Sequence, residues 1–201
     1  MENKILPEQQ EFYDVNFSKL NLSGIELRNR TFENCEFTDA HFKETIFSAC
    51  KFVDCEFKFC DLSNAKFNNT IFNETIFIES KLIGINWTMV RWPYIKLSNS
   101  IKFYQSNLSH CSFYALDLQE IVIEDCKAWD VDFRGGNFSN SSFIGTDFTN
   151  SIFIHTKLRA ADFTAAINYN INPNENEIHK AKFSMPDALS LLDSFEIDIQ
   201  T

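Results

Sequence analysis

No stretch of this chain is apolar for long enough to cross a membrane. Its opening, MENKILPEQQEF, lacks the apolar core of a secretory signal. Clusters of Lys and Arg are missing too: 18 basic residues face 28 acidic ones, a net charge of −10. Phosphate binding needs clustered cations, so the sequence argues against direct contact with DNA, RNA or an anionic membrane. A basic protein partner fits better. The six cysteines form no CxxC pair, and His41, His110, His155 and His179 are scattered without HExxH spacing. Gly135-Gly136 is too short for a phosphate loop and lacks its lysine, and it does not start a calcium-binding GGxGxD repeat. The expectation is a cytoplasmic protein that is not an enzyme, with no catalytic group, cofactor or metal.

What the chain has in excess is phenylalanine, 22 residues, and its placement is periodic. In TFENCEFTDAHFKETIFSACKFVDCEFKFCDLSNAKF a large apolar residue returns every fifth position: Phe32, Phe37, Phe42, Phe47, Phe52, Phe57, Leu62, Phe67. Nineteen of the 22 Phe fall on the run of large positions from Phe12 to Phe163; Phe59, Phe183 and Phe195 lie outside that run. A helix repeats at 3.6 and a strand at 2, so a strict period of five points to a solenoid.

One unit follows from strand geometry. Residues i and i−2 of an extended chain point to the same side, so the large residue and the small one two before it share an interior. The polar residues between them face water and supply the turn. Successive coils stack at ~4.8 Å, the spacing of hydrogen-bonded strands, and build Phe upon Phe. Cys35, Cys50, Cys55, Cys60, Cys111 and Cys126 all fall in the small inward slot, which makes them core residues rather than disulfide or zinc ligands. Thr70 and Thr75 are inward as well, which rejects an ice-binding threonine face.

The period breaks in several places. Large residues occupy small slots at Leu20, Ile25, Arg30, Ile85, Val90, Ile95, Ile101, Leu116 and Ile121. Arg30 is expected near the open N-terminal end. The large positions run in fives to Trp92 and Leu97 and resume at Phe103, a one-residue slip at residues 98–102 beside Pro93. A bulge or short loop is expected there. Ala128 leaves a gap that Trp129 is placed to fill in part. The resulting organisation is a lead-in over 1–11, the repeat over 12–166 and a C-terminal cap over 167–201. In that cap SMPDALSLLDSF reads as a helix over 186–194. Ser184 is its expected cap, with an apolar stripe of Ala188, Leu189, Leu191, Leu192 and Phe195. The alternation of Phe195, Ile197 and Ile199 predicts a short strand.

CEFTDAHF, CDLSNAKF and TDFTNSIF resemble the A-(D/N)-(L/F)-x-x consensus of the pentapeptide-repeat family, over about residues 12–166. The resemblance implies an all-β fold, a right-handed quadrilateral parallel β-helix of about eight coils, with a C-terminal capping helix and short strand. It also implies a function. Well-studied members imitate the shape and charge of B-form DNA and bind DNA gyrase or topoisomerase IV. They protect the enzyme from quinolones or gyrase-poisoning peptides, or inhibit it. The Qnr members have a similar C-terminal helix and strand that form a two-fold dimer, so an end-to-end homodimer through Leu189, Leu192, Phe195, Ile197 and Ile199 is expected. Qnr proteins of Gram-negative bacteria also carry two long loops, where this sequence shows only the slip.

With four units per coil, outward residues recur every twenty. Asp14, Asp54 and Glu74 then stack at one corner, Glu36 and Glu56 just past it, and Asp39 and Glu79 on the next turn. These seven form the expected partner-binding acidic ridge, interrupted by Lys51 and Lys58. Ile71, Ile76, Ile78 and Ile83, with Phe59 nearby, and Ile144, Ile152 and Ile154 lie at outward phases. They support the alternative: an interaction scaffold unrelated to topoisomerases.

Overall fold

The computed structural model describes residues 6, 8–93, 101–195 and 197. The chain winds into a parallel β-solenoid of about eight turns with four sides. One side is the sheet of Glu11–Tyr13, Thr31–Glu33, Lys51–Val53 and Ile71–Asn73. The next runs from Asn16–Ser18 through Glu36–Thr38, Glu56–Lys58, Thr75–Ile78 and Ile101–Tyr104 to Val122–Glu124. A third is a column of single parallel bridges, Asn21 to His41, Asp61, Lys81, Asn107, Lys127 and Asp147. The fourth begins with Glu26–Arg28, Ile46–Ser48 and Lys66–Asn68.

The large residues form continuous stacks inside. Phe17, Phe37, Phe57, Phe77 and Phe103 lie 5.0, 4.6, 4.7 and 5.4 Å apart, ring over ring. Phe47, Phe67, Trp87, Phe113, Phe133 and Phe153 make a second column at 5.2, 5.6, 5.8, 5.4 and 4.8 Å. Rings on adjacent sides meet edge to face, as aromatic quadrupoles prefer. Full burial of one such ring is worth roughly 1.5–3 kcal/mol.

The inward slot does more than fill space. At some corners the amide three residues after the large residue bonds back to that residue's carbonyl, as Ala65 N does to Leu62 O and Ala166 N to Phe163 O. These are closed turns, with the positive φ at the third residue that a type II turn requires. At other corners the carbonyl is reached by a side chain from the next coil. Cys35, Cys55 and Cys60 donate through Sγ to the carbonyls of Phe12, Phe32 and Phe37. Thr70 and Ser80 do the same to Phe47 and Phe57. Ser80 Oγ also accepts from Cys60 N, so one hydroxyl replaces the whole missing turn bond. Thr146 and Ser151 repeat this bridge, and Asn176 makes it with its amide. Where the turn is closed, the slot one coil on often holds a group with no polar atom: Ala65 follows Phe42, Ile85 follows Leu62 and Ala161 follows Phe138. Thr45 and Thr156 instead share the closed-turn carbonyls of Leu22 and Phe133 with the turn amide. Ser141 does neither. The carbonyl it would reach, Leu118 O, is taken by Ile121 N, and its Oγ is buried without a partner.

Several local expectations change. Thr75 pairs with Ile101, twenty-six residues on, where the coils before and after are separated by twenty. Trp87 likewise stacks on Phe113. The coil that contains the slip at 98–102 is therefore six residues longer than its neighbours; residues 94–100, and most of the bulge or loop expected there, lie outside the described residues. Trp129 does not fill the gap beside Ala128. It lies outside, its indole donating to Asp147 Oδ2 at 2.7 Å with the Lys127 ammonium 3.1 Å above its ring. Coiling also runs past residue 166: Asp162 pairs with Lys182, and Phe183 stacks on Phe163 at 5.1 Å. The slot above Leu116 is Gly136, where a Cβ would strike the Phe138 ring.

The two ends differ. Arg30 turns toward the N-terminal end and donates to the carbonyls of Glu8 and Gln9. At the other end a 3₁₀-helix spans Asp187–Phe195. Ser184 Oγ accepts from Ala165 N instead of capping that helix, because it closes the corner below. The expected strand over 195–199 is not formed where it can be described: Phe195 ends the helix, Ile197 is irregular, and Ile199 lies outside the described residues.

Candidate functional site

Most corners place one residue at positive φ, two after the large residue; after Trp87 a 3₁₀ turn takes its place. Asn, Asp and Gly tolerate this region best, because their side chains or the missing Cβ relieve the clash. The fold therefore selects acidic and amide residues at the corners for conformational reasons, and it is these residues that face solvent.

Of the seven acidic residues, Asp14, Asp54 and Glu74 stand on one corner with Asn34 between the first two. The Asn34 amide donates to Asp14. Asp39 and Glu79 stand on the next corner, with Phe59 between them. Glu36 and Glu56 pair directly on the strands that join the two corners. They are half-buried, and Lys58 lies with them, its Nζ 3.5 Å from Glu36 and 2.9 Å from Glu56. The Glu56 hydrogen bond and the nearby carboxylates raise the pKa of Lys58, which keeps it charged. Asn16 and Thr38 also donate to Glu36. The ridge thus resolves into two rows bounding one sheet, with its middle partly neutralised. Four coils rise roughly 19 Å, a length of B-DNA carrying about eleven phosphates. The two rows and the sheet between them carry a lower density than that.

The outward isoleucines are only partly covered. Ile71, Ile76, Ile78 and Ile83 are half-buried by neighbouring coils, while Ile144, Ile152 and Ile154 are exposed. At the C-terminal end Leu189 is 39% exposed, Phe195 49% and Ile197 56%, whereas Leu191 packs on the core. Leu192 is half-buried, and no residue of the helix is fully buried.

All six cysteines are buried and free. Burial pushes the thiols of Cys55, Cys60, Cys111 and Cys126 up to about 12, so they stay protonated and poor nucleophiles. Among the described residues no group of His, Cys, Asp and Glu is arranged to hold a metal ion, and no helix is long and apolar enough to cross a membrane.

Residues 85–163 match the family described as the pentapeptide repeat region. The chain carries the pentapeptide repeat. Residues 1–77 match the SV2A/B/C luminal domain. The period of five that starts at Phe12 runs through the rest of that stretch and into the matched repeat region. No curated protein matches the chain. Among solved structures, full-length QnrB1, a plasmid-mediated fluoroquinolone resistance protein, aligns with a TM-score of 0.65 at 19% identity, covering 93% of this chain and all of QnrB1. A trypsin-treated variant of QnrB1 aligns at 0.56 and 20% identity, over 94% of this chain and 97% of that one. HetL from Nostoc sp. strain PCC 7120 aligns at 0.45 and 14%, over 87% of each. At these identities the likeness is one of fold.

Proposed function

We propose that this pentapeptide-repeat protein is a non-enzymatic DNA mimic that binds DNA gyrase or topoisomerase IV. It protects the enzyme from a quinolone or a gyrase-poisoning peptide, or inhibits it when neither is present. The observation that carries this reading is the sheet bounded by two corner rows of carboxylates on a stacked solenoid, in a fold shared with a fluoroquinolone resistance protein. Stacked coils present anionic groups at regular intervals, which a protein evolved to hold phosphates can engage. The exposed apolar residues of the C-terminal end, Leu189, Phe195 and Ile197, support an end-to-end homodimer. The protein acts in the cytoplasm, where such a target resides.

The test is a supercoiling assay with gyrase holoenzyme and purified protein, with and without a quinolone. Either protection or inhibition at micromolar protein is expected, and charge reversal at Asp39, Asp54, Glu56 and Glu79 removes it while the rod stays folded. No effect on supercoiling and no protection would sink the reading. The second reading, an interaction scaffold unrelated to topoisomerases, is favoured by the exposed Ile144, Ile152 and Ile154.

A further inference from the structure

Phe59 is the wrong residue for its place in the fold. It sits at a corner with φ +57, and among the described residues it is the one large apolar side chain at a left-handed corner. The other corners there hold Asn, Asp, Glu, Gln, Lys, His, Ala or Gly. A bulky side chain is disfavoured in this region by contact of its Cβ with the backbone. Burial does not compensate, since Phe59 is 50% exposed. Its backbone performs the ordinary duty of the corner, Phe59 N donating to Ile78 O, which any residue would do. The ring therefore sits on a strained corner with half of its surface left in solvent.

Its surroundings give it a use. Ile76 and Ile78 lie on the sheet one coil up, with Tyr104 registered on Ile78 and Lys102 on Ile76, and Val122 a coil further. All four of Ile76, Ile78, Tyr104 and Val122 are half-buried. This apolar strip is rimmed with carboxylates: Asp39 and Glu79 flank Phe59 along its corner, Glu56 lies below Ile76, and Glu124 is registered on Tyr104. Burial and the Glu124 charge raise the pKa of the Tyr104 phenol, so it stays neutral and a hydrogen-bond donor. Lys58, registered on Ile78, is occupied by Glu36 and Glu56.

We infer that Phe59 is an anchor that enters an apolar pocket rimmed by Lys and Arg on a partner protein. Charge complementarity selects this partner: an apolar centre with an acidic rim matches an apolar pocket with a basic rim. A contact with phosphate-binding cations alone would weaken steeply with salt. An aromatic anchor adds a salt-resistant component that pure charge mimicry lacks. The inference rests on the reading of a protein partner, and not on that partner being a topoisomerase.

The test uses the full chain and Phe59→Asn. Melting comes first. Asn suits the left-handed corner, so Tm rises by about 2–4 °C, the shift that a modest stabilisation gives a chain of this size. A fall in Tm means that Phe59 serves the fold and overturns the inference. Binding to gyrase holoenzyme follows at low and high salt. Phe59→Asn weakens it about tenfold at both, while Asp39→Lys with Glu79→Lys weakens it mainly at low salt. Wild-type affinity in Phe59→Asn overturns the anchor and leaves the gyrase reading standing. If the wild type does not bind gyrase, that reading falls alone. Photo-crosslinking in cells then decides the anchor, with benzoylphenylalanine at position 59 and at the exposed corner Asn69. An adduct specific to position 59, mapping to apolar partner residues between Lys and Arg, and a purified partner that loses affinity for Phe59→Asn, support it. No specific adduct overturns it.

Discussion

The solenoid closes its corners differently on either side of the six-residue excess. Before it, three sides are runs of hydrogen-bonded strands, and Cys, Thr and Ser of the following coil bridge most of their turns. After it, isolated bridges replace most strands and most turns close on themselves. Charge differs as well. Residues 1–100 carry 14 acidic and 11 basic residues, and residues 101–201 carry 14 and 7. The acidic excess therefore lies mainly in the second half, while the first half holds the two orderly rows, with Phe59 in one of them. Regular stacking and net charge are separate properties of this rod, and a partner that reads geometry would contact a different half from one that reads bulk potential.

The largest effect is expected from the aromatic column both halves share. Phe57 is fully buried between Phe37 and Phe77. Phe57→Ala should cost about 3–5 kcal/mol in denaturant unfolding, because rigid coils on both sides cannot collapse into the void. A cost below about 1 kcal/mol would mean that the coils slide to close it. Next come the bridges. Cys60→Ala leaves the carbonyl of Phe37 without its side-chain donor and should cost about 1–3 kcal/mol, with Cys60→Ser recovering most of it. Ser141→Ala, in a closed-turn coil where the hydroxyl is already unpartnered, should be neutral or slightly stabilising. Equal costs at the two sites would erase the distinction between bridged and closed turns.

A smaller effect concerns pH. The thiols of Cys55, Cys60, Cys111 and Cys126 are raised from an ordinary value of 9.0 to about 12 by burial. A raised value in the folded state means that the unfolded chain loses these protons first. Their contribution is complete below pH ~9 and is lost as pH rises toward 12. Melting temperature should be insensitive to these groups from pH 6 to 8 and should decline above 9, less steeply in a Cys55→Ser, Cys60→Ser double variant. A thiol reagent at pH 8 should find none of the six in the folded protein. Rapid labelling of any of them under native conditions would contradict their burial.

Which side chains face inward is legible in the sequence because its cause is local, one large residue per five with the small residue two before it; the four sides of the coil come from the family resemblance and not from the period. The inward cysteines follow from the same phase, but their hydrogen bonds do not, since those depend on which carbonyls the neighbouring turn leaves open. The six-residue excess is hidden in the sequence because Leu97 falls five residues after Trp92 and continues the period. Phe183 keeps the phase, twenty residues after Phe163, but Asn168 and Pro173 stand where large apolar residues would mark the repeat between them, and Phe153 pairs with Ile171, eighteen residues on. The seven acidic positions are readable one by one. Their split into two rows, and the Lys58 contacts that mute the middle, are properties of packing. Phe59 is visible as an off-phase phenylalanine, yet its meaning comes from a backbone angle that no periodicity reveals.

The most direct measurement of the central claim is competition. Gyrase holoenzyme is held at a fixed concentration with a labelled duplex, and the full-length protein is titrated in. The account predicts displacement of the duplex by the wild type, weakened at least tenfold by reversing Asp39, Asp54, Glu56 and Glu79, with the rod's circular dichroism unchanged. Undisturbed DNA binding at saturating protein, or displacement that survives the charge reversal intact, would contradict it.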